Sequence, residues 1–317
     1  MKKRNKSHKM RSFLLGLVVI VAVVFFLCYM LVGSFYSQMN YNKIDSVSDQ
    51  PMKEEGVINI LLIGNDSRKN DESGRSDAMI LLSISSKTKT VHITSLLRDV
   101  YVEIPGHGSN RLNAAYAYGG AELLMDTIEA NFDIEVNRYA QVNFAAFASL
   151  VDAVGGVDLE LSNEEVRLVN GYLWEYNILM GNPEGTDYFD EDVAGMVHLN
   201  GPQALAYCRN RYIGSDFGRT ERQRKVLGAM ISKAPNMLLN MDDVIEGVFS
   251  NVTTNLTQPE CMMLVSQVGT LLTHEIVQGS IPMEGTYSNA SINGMSVLSV
   301  DFEANNAYIR SEIYGEK

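Results

Sequence analysis

From Ser12 to Phe35 the chain carries no charge and is almost wholly apolar, SFLLGLVVIVAVVFFLCYMLVGSF. About 20 such residues cross the hydrocarbon core of a bilayer as a helix, whereas a soluble amphipathic helix needs a polar face. A cleavable leader has a shorter apolar core, about 7–15 residues, followed by a small-residue cleavage site. This run is longer, and no clear small-x-small pattern follows it. The expectation is an uncleaved transmembrane helix over 12–35. The stub ahead of it, 1–11, holds Lys2, Lys3, Arg4, Lys6, Lys9 and Arg11 and no acid. Basic flanks stay on the cytoplasmic side, so the remainder of the chain is expected outside the cell membrane.

That remainder is acidic. The whole chain has 26 bases against 38 acids, a formal charge of -12, and six of the bases lie in the stub. Such a balance excludes an obvious nucleic-acid binder, and the cytoplasmic stub is too short for a folded DNA-binding module. With 317 residues, 46% of them hydrophobic, there is enough chain for a full-sized core. Three cysteines, Cys28, Cys208 and Cys261, show no disulfide framework in their spacing.

Residues 36–56 are polar and aperiodic and read as a stalk; 57–317 reads as one folded domain. It opens with Val57–Gly64, a short apolar run fitting a buried strand, which ends in turn formers and places Asp66 just beyond its carboxyl end. Ala78–Ser85 and Val91–Leu97, joined by a short polar link, predict an antiparallel hairpin. That topology brings Asp77, before the first strand, to the same edge as Arg98 and Asp99, after the second. Val100–Pro105 reads as extended. Leu112 to Phe132 is helical in pattern and broken at Gly119-Gly120. Tyr139–Val142 reads as a strand, Phe144–Val154 as a helix ended by Gly155-Gly156, and Val157–Leu161 as a strand. Ser162 to Leu199 is acidic and aromatic and reads as an irregular excursion or lid. Gly201-Pro202 starts a short helix. Met237–Leu272 reads as further helix, Glu275–Ile281 as a late strand and Tyr308–Tyr314 as a terminal helix.

The most unusual stretch is Leu205 to Lys225, LAYCRNRYIGSDFGRTERQRK. Arginine presents a planar fork that grips oxyanions bidentately, and five arginines fall here. Arg209 and Arg211, two apart, would share a face on a strand. Arg219, Arg222 and Gln223, at i, i+3 and i+4, share a helix face, with Arg219 near the N-terminus of a helix over about 219–234, where anions are favoured. Arg222 reads as structural and Arg224 as a plain surface charge. A solvated charged face is the competing reading. Asp66 and Asp77, each individually explicable as a turn or cap residue, together suit a hard divalent cation such as Mg2+. The five scattered histidines show no zinc spacing, and no nucleotide-binding glycine loop or nucleophile elbow is present.

These residues carry a family resemblance. Leu61-Leu62-Ile63-Gly64-Asn65-Asp66-Ser67-Arg68, Arg75-Ser76-Asp77, Ser95-Leu96-Leu97-Arg98-Asp99, Leu112-Asn113-Ala114-Ala115-Tyr116, Gly155-Gly156-Val157 and Tyr207-Cys208-Arg209-Asn210-Arg211 through Asp216, Arg219 and Arg222-Gln223 occur in the order of the LytR–CpsA–Psr family. Ala78 departs from that pattern, where members often carry threonine. The resemblance implies an α/β/α sandwich with a mixed central sheet and an apolar tunnel for a polyprenyl chain. It implies an extracytoplasmic phosphotransferase that moves an anionic glycopolymer, such as wall teichoic acid or capsule, from an undecaprenyl-pyrophosphate carrier to a peptidoglycan sugar hydroxyl. Under it, Asp66 and Asp77 bind Mg2+, and Arg75, Arg98, Arg209, Arg211, Arg219 and Gln223 contact the pyrophosphate. Arg98 and Arg219 would stabilise developing charge, and Asp99 and Asp216 are alternative general bases. Readings of another kind are a polyprenyl-pyrophosphate hydrolase or binding protein and a membrane-bound transcriptional attenuator.

Overall fold

The computed structural model describes residues 29–65, 76–190, 193–234, 248–271 and 273–316. Its helices are α1 (29–36), α2 (Leu112–Phe132), α3 (Phe144–Ala153), α4 (Asn163–Met180), α5 (Gly201–Arg209), α6 (Asp216–Ser232), α7 (Gln258–Leu271) and α8 (Phe302–Glu312). The strands are β1 (Asn40–Tyr41), β2 (Lys53–Glu54), β3 (Val57–Asn65), β4 (Ser76–Ser85), β5 (Thr90–Leu96), β6 (Tyr101–Ile104), β7 (Gly108–Arg111), β8 (Arg138–Val142), β9 (Val157–Leu161), β10 (Gly195–Leu199), β11 (Val252–Thr254), β12 (Glu275–Ile281), β13 (Tyr287–Ile292) and β14 (Met295–Val300).

The main sheet runs β1-β11-β8-β3-β4-β5-β12, with β2 on the flank of β3. It is mixed. β3 is parallel to β8 and antiparallel to β4, β4 is antiparallel to β5, and β5 is parallel to β12. Hence β8, β3, β5 and β12 all end at one edge, and β4 begins there. In α/β sheets ligands collect outside such carboxyl ends.

Alternation along β3 sorts its side chains between two layers. Leu61 and Ile63 pack with α2 residues Leu124 and Ile128 and with Ile309 of α8. Ile58 and Ile60 face Leu256 and the half-buried Cys261, Met263 and Leu264 of α7. The ladder pairs Ile60 with Leu82 and Leu82 with Ile93, so Ile93 shares the α7 face, and α6 lies over it. A Cβ on Gly228 of α6 would stand only 2.9 Å from Gln278 Nε2 of β12, so glycine permits that approach. The fold is therefore the expected mixed sheet between helical layers. A second cluster gathers Val151, Val157, Leu173, Leu199, Tyr207 and Val226 beneath the antiparallel β9–β10 pair.

Four sequence expectations are corrected. The stalk over 36–56 is part of the domain: β1 and β2 join the sheet, and Ile44, Val47 and Met52 are buried. Ser162 to Leu199 is largely regular. Ser162 and Glu165 form a capping box that starts α4, with Val166, Val169 and Leu173 on its buried face, and β10 pairs with β9. The capping box was the overlooked signal. In Met237–Leu272, the described part has a 3-10 turn (Phe249–Asn251) and β11 before α7, while 235–247 lie outside the described residues. Finally, β13–β14 is a hairpin the sequence reading missed. The break in α2 is where it was expected, at Gly119 and Gly120, and Cys208 and Cys261 are free thiols. Of the apolar run 12–35, only 29–35 is described, as part of α1. Among the described residues no helix is long and apolar enough to cross a membrane.

One buried ion pair bolts the layers together. Arg138 opens β8 and is nearly inaccessible. It meets Glu260 of α7 at 2.7 Å and donates to the carbonyls of Val47 and Gln50 at 3.1 and 2.9 Å. Burial pushes the Glu260 carboxyl up, but hydrogen bonds from Arg138 and Thr257 outweigh it and hold the group below its ordinary value. A carboxyl lowered in the folded state stabilises above its unfolded pKa, and that contribution is lost as pH falls through the folded value. Glu260→Gln is expected to cost about 3–5 kcal/mol by leaving Arg138 uncompensated. Thermal unfolding against pH checks this: the wild-type Tm should fall as pH drops below 4.5, and the variant should lose much of that dependence.

Candidate active site

The edge where β3 and β5 end and β4 begins is lined by two walls. The wall beside β5 starts from backbone held on three sides. Leu97 N–H donates to Ile281 O, Asn113 N–H donates to Arg98 O, and Leu298 N–H donates to Asp99 O at 2.8 Å. Each bond comes from a different element, so Arg98 and Asp99 are fixed by β12, α2 and the β13–β14 hairpin together. Phe217 of α6 stacks on Tyr287 of that hairpin with ring centroids 5.0 Å apart, which brings the start of α6 to the same place.

The carboxylates here are already engaged. Asp216 Oδ1 takes Arg219 Nη2 at 2.7 Å and Arg98 Nη2 at 3.5 Å. Asp99 takes Arg111 Nη1 at 3.0 Å and lies 3.8 Å from Arg98 Nε. Arg219 is 2% exposed. Asp216 Oδ2 is buried and has no hydrogen-bond partner among the described residues, and neither has Gln223 Oε1. Ser215 caps α6 without a side-chain bond, so its first-turn N–H groups, which favour anions, receive no acceptor from that side chain. This wall presents guanidinium groups in a partly desolvated setting, where oxyanion contacts are stronger than in water.

The opposite wall lies beside β8. Arg209 Cζ stands 4.8 Å from the ring centroid of Phe144, which opens α3, and 5.6 Å from that of Tyr172 on α4. Its Nη2 is 3.5 Å from Glu175 Oε2. Arg211 N–H donates to Tyr172 Oη at 3.3 Å. The expected strand for Arg209 and Arg211 is thus replaced by the last turn of α5 and the loop after it, because a capping box at Asn200 and Gln203 with Pro202 commits 201–209 to helix.

The remaining α6 arginines hold this geometry. Arg222 is buried, and its Nη2 donates to Asn210 O at 2.7 Å and Ile213 O at 2.8 Å, closing the α5–α6 loop onto α6. Arg224, expected on the surface, is buried too: its Nη1 donates to Ser95 Oγ at 2.8 Å, and burial lowers its pKa. It therefore joins α6 to β5 three residues before Arg98. The helix starts at Asp216, ahead of the expected Arg219, so Asp216 belongs to the first turn. Burial pushes the Cys208 thiol up to about 12, which keeps it protonated and unreactive.

Asp66 and Arg75 lie outside the described residues, and only the backbone place of Asp77 is described. Asn65, which precedes Asp66, pairs with Ser76, which precedes Asp77. Ile80 pairs with Ser95, three residues from Asp77 and Arg98 respectively. The hairpin therefore brings together the sequence positions that the sequence analysis placed at one edge. Among the described residues no group of three His, Cys, Asp or Glu is placed to hold a metal ion. Sequence reasoning missed Arg111, Tyr172 and Glu175, since their proximity is created by packing across elements.

Removing the Arg222 clamp tests the architecture. Arg222→Ala should cost roughly 1–3 kcal/mol in denaturant unfolding and should speed hydrogen exchange across residues 210–215, with little change at β8.

The sequence matches the family described as LytR_cpsA_psr over residues 29–310. The polyisoprenyl-teichoic acid–peptidoglycan teichoic acid transferase TagU of Bacillus cereus is 38% identical over 208 residues, covering 64% of this chain and 62% of that protein. The TagU of Oceanobacillus iheyensis is 32% identical over 288 residues, covering 84% and 83%. The chain thus spans less than two thirds of the Bacillus cereus relative and most of the Oceanobacillus one. Among solved structures, TagT bound to LIIa-WTA has a TM-score of 0.67 at 25% identity, covering 86% of this chain and 99% of that one.

Proposed function

This chain belongs to the LytR–CpsA–Psr family, and on that premise we propose that it transfers an anionic glycopolymer of the teichoic acid type from a polyprenyl-pyrophosphate carrier to a peptidoglycan sugar hydroxyl. The observation that carries the reading is the Arg98–Asp216–Arg219 cluster at the carboxyl edge of the sheet, opposite Arg209. Phosphoryl transfer needs positioning and charge stabilisation more than covalent help from the protein, and this edge supplies both. The names of the TagU relatives support the substrate class.

In this reading Arg98 and Arg219 neutralise the phosphoryl oxygens, joined by Arg75 and Gln223, while Arg209 and Arg211 hold the diphosphate from the β8 side. The acceptor oxygen forms a bond to the sugar-linked phosphorus, and the bond from that phosphorus to the polyprenyl phosphate oxygen breaks. Polyprenyl phosphate leaves with the bonding electrons. Asp216 is the better of the two candidate bases, because among the described residues its Oδ2 has no hydrogen-bond partner while Oδ1 receives both arginines. Asp99, drawn to Arg111, then orients Arg98. With water in place of the glycan, the same steps give hydrolysis.

Mg2+ fits the residue types at Asp66 and Asp77, two carboxylates that follow the paired residues Asn65 and Ser76, a number it commonly takes from a protein. Bound there, it would neutralise pyrophosphate charge and stabilise the leaving group. A place for the polyprenyl chain is supported by the α7 face of the sheet. Leu62 and Leu82 lie on the central strands β3 and β4 yet are only half-buried, as are Met263 and Leu264 across from them. The apolar run 12–35 and the basic stub ahead of it support anchoring in the cell membrane with this domain outside.

Transfer from a defined lipid-linked donor to a peptidoglycan acceptor tests the proposal. Arg98→Ala should slow turnover by about 10²–10³-fold, the usual loss for one preorganised oxyanion donor; native-rate transfer would remove Arg98 from the mechanism. Chelation of divalent metal should abolish transfer and added Mg2+ restore it, and Asp66→Asn should not be rescued. Transfer that persists unchanged in chelator would eliminate the metal assignment.

A further inference from the structure

The aromatic side chains beside Arg209 are not needed to bind a diphosphate. Tyr212 is 80% exposed, although it follows directly on Arg211. Its ring lies 6.3 Å from that of Tyr172, tilted by 43°, so the two form an open angle beside the guanidinium of Arg209. The backbone under Tyr212 is firmly held. Tyr212 N–H donates to Asn210 Oδ1 at 2.9 Å, Asn210 is fully buried, and Arg222 ties down the carbonyls of Asn210 and Ile213. Ordering an exposed aromatic ring on a rigid loop does not contribute to the core. Rigid tyrosines displayed in this way are effective recognition surfaces, because they offer a large amphipathic face at low entropic cost.

The electrostatics select the ligand. Glu175 Oε2 lies 3.5 Å from Arg209 Nη2 and is largely exposed, so beside the two tyrosines the wall presents a carboxylate, which suits hydroxyl groups better than a further phosphate. What suits it is a ring with an apolar C–H face to lie on an aromatic surface and hydroxyl groups to reach Glu175. The position agrees. Phe144 follows β8, and Arg98 follows β5, three strands along the sheet. At the usual strand spacing the backbone separation is roughly 14 Å, a gap that the long arginine side chains reach into from both sides while leaving room beside Tyr172 and Tyr212 for the adjoining sugar.

We propose that Tyr212 and Tyr172 form a stacking platform, with Glu175 as its polar rim, for a neutral pyranose ring adjoining the diphosphate; this rests on the reading of the site as a pyrophosphate site. Two sources share this chemistry: the first sugar of the lipid-linked donor and the acceptor sugar of peptidoglycan.

The test uses the full chain in detergent micelles and three probes: sugar-free polyprenyl pyrophosphate, the same lipid bearing its first sugars, and a soluble peptidoglycan glycan strand. Tyr212→Ala should weaken binding of a sugar-bearing probe by about two- to tenfold, the range of one aromatic contact, while binding of sugar-free polyprenyl pyrophosphate stays at the wild-type value. Tyr212→Trp should restore it. Loss confined to the lipid-linked sugar assigns the platform to the donor, loss confined to the glycan strand assigns it to the acceptor, and loss of both assigns it to a shared position. Unchanged binding of both sugar-bearing probes overturns the proposal, and so does an equal loss on the sugar-free lipid. Failure of the wild-type protein to bind sugar-free polyprenyl pyrophosphate would instead overturn the pyrophosphate reading itself.

Discussion

Three guanidinium groups on α6 are buried, and the rest of the site depends on how each is compensated. A charge taken out of water must recover its lost hydration from fixed partners. Arg219 finds Asp216 within its own first turn, Arg222 finds two carbonyls of the preceding loop, and Arg224 finds the Ser95 hydroxyl on β5. Those requirements set the position of α6 on the sheet, close the loop that carries Arg211 and Tyr212, and bring Asp216 within reach of Arg98. A helix that looks too polar to pack is packed through its charges.

The sheet supplies a second constraint. Because β8, β3, β5 and β12 end at one edge and β4 begins there, the topology alone brings residues far apart in sequence to that edge. The backbone around Arg98 is then tied to β12, α2 and the β13–β14 hairpin. Preorganisation of this kind lets donors act on developing charge without being rearranged at the moment of reaction. On the far side of the layer, Arg138 and Glu260 join β8, α7 and the segment after β1, so the chain entering from α1 is part of the fold that carries the site.

The two walls differ in character, which bears on the chemistry proposed for them. The β5 wall concentrates positive charge around two carboxylates and suits phosphoryl oxygens. The β8 wall carries Arg211 and sets Arg209 against two aromatic rings with Glu175 beside it. A substrate that is anionic at its centre and neutral at one end would satisfy both.

Much of this was legible in the sequence. The strand at Val57, the hairpin that joins Asp77 to Arg98, the break at Gly119-Gly120 and the helix carrying Arg219, Arg222 and Gln223 follow from local periodicity and turn chemistry, which are short-range properties of the chain. The family motifs, being contiguous, were readable for the same reason. What the sequence could not determine was which neighbours each charge would meet. Arg209 and Arg211 have strand spacing but fold as helix end and loop, because the Asn200–Gln203 capping box upstream decides the local conformation. Arg224 looks like a surface charge and is buried, because its partner Ser95 lies in a strand more than a hundred residues earlier. Tyr172, Glu175 and Tyr212 come together only when α4 and the α5–α6 loop pack side by side. Sequence fixes conformation over a few residues through backbone sterics and local hydrogen bonds; desolvation and pairing across elements are decided when the layers close.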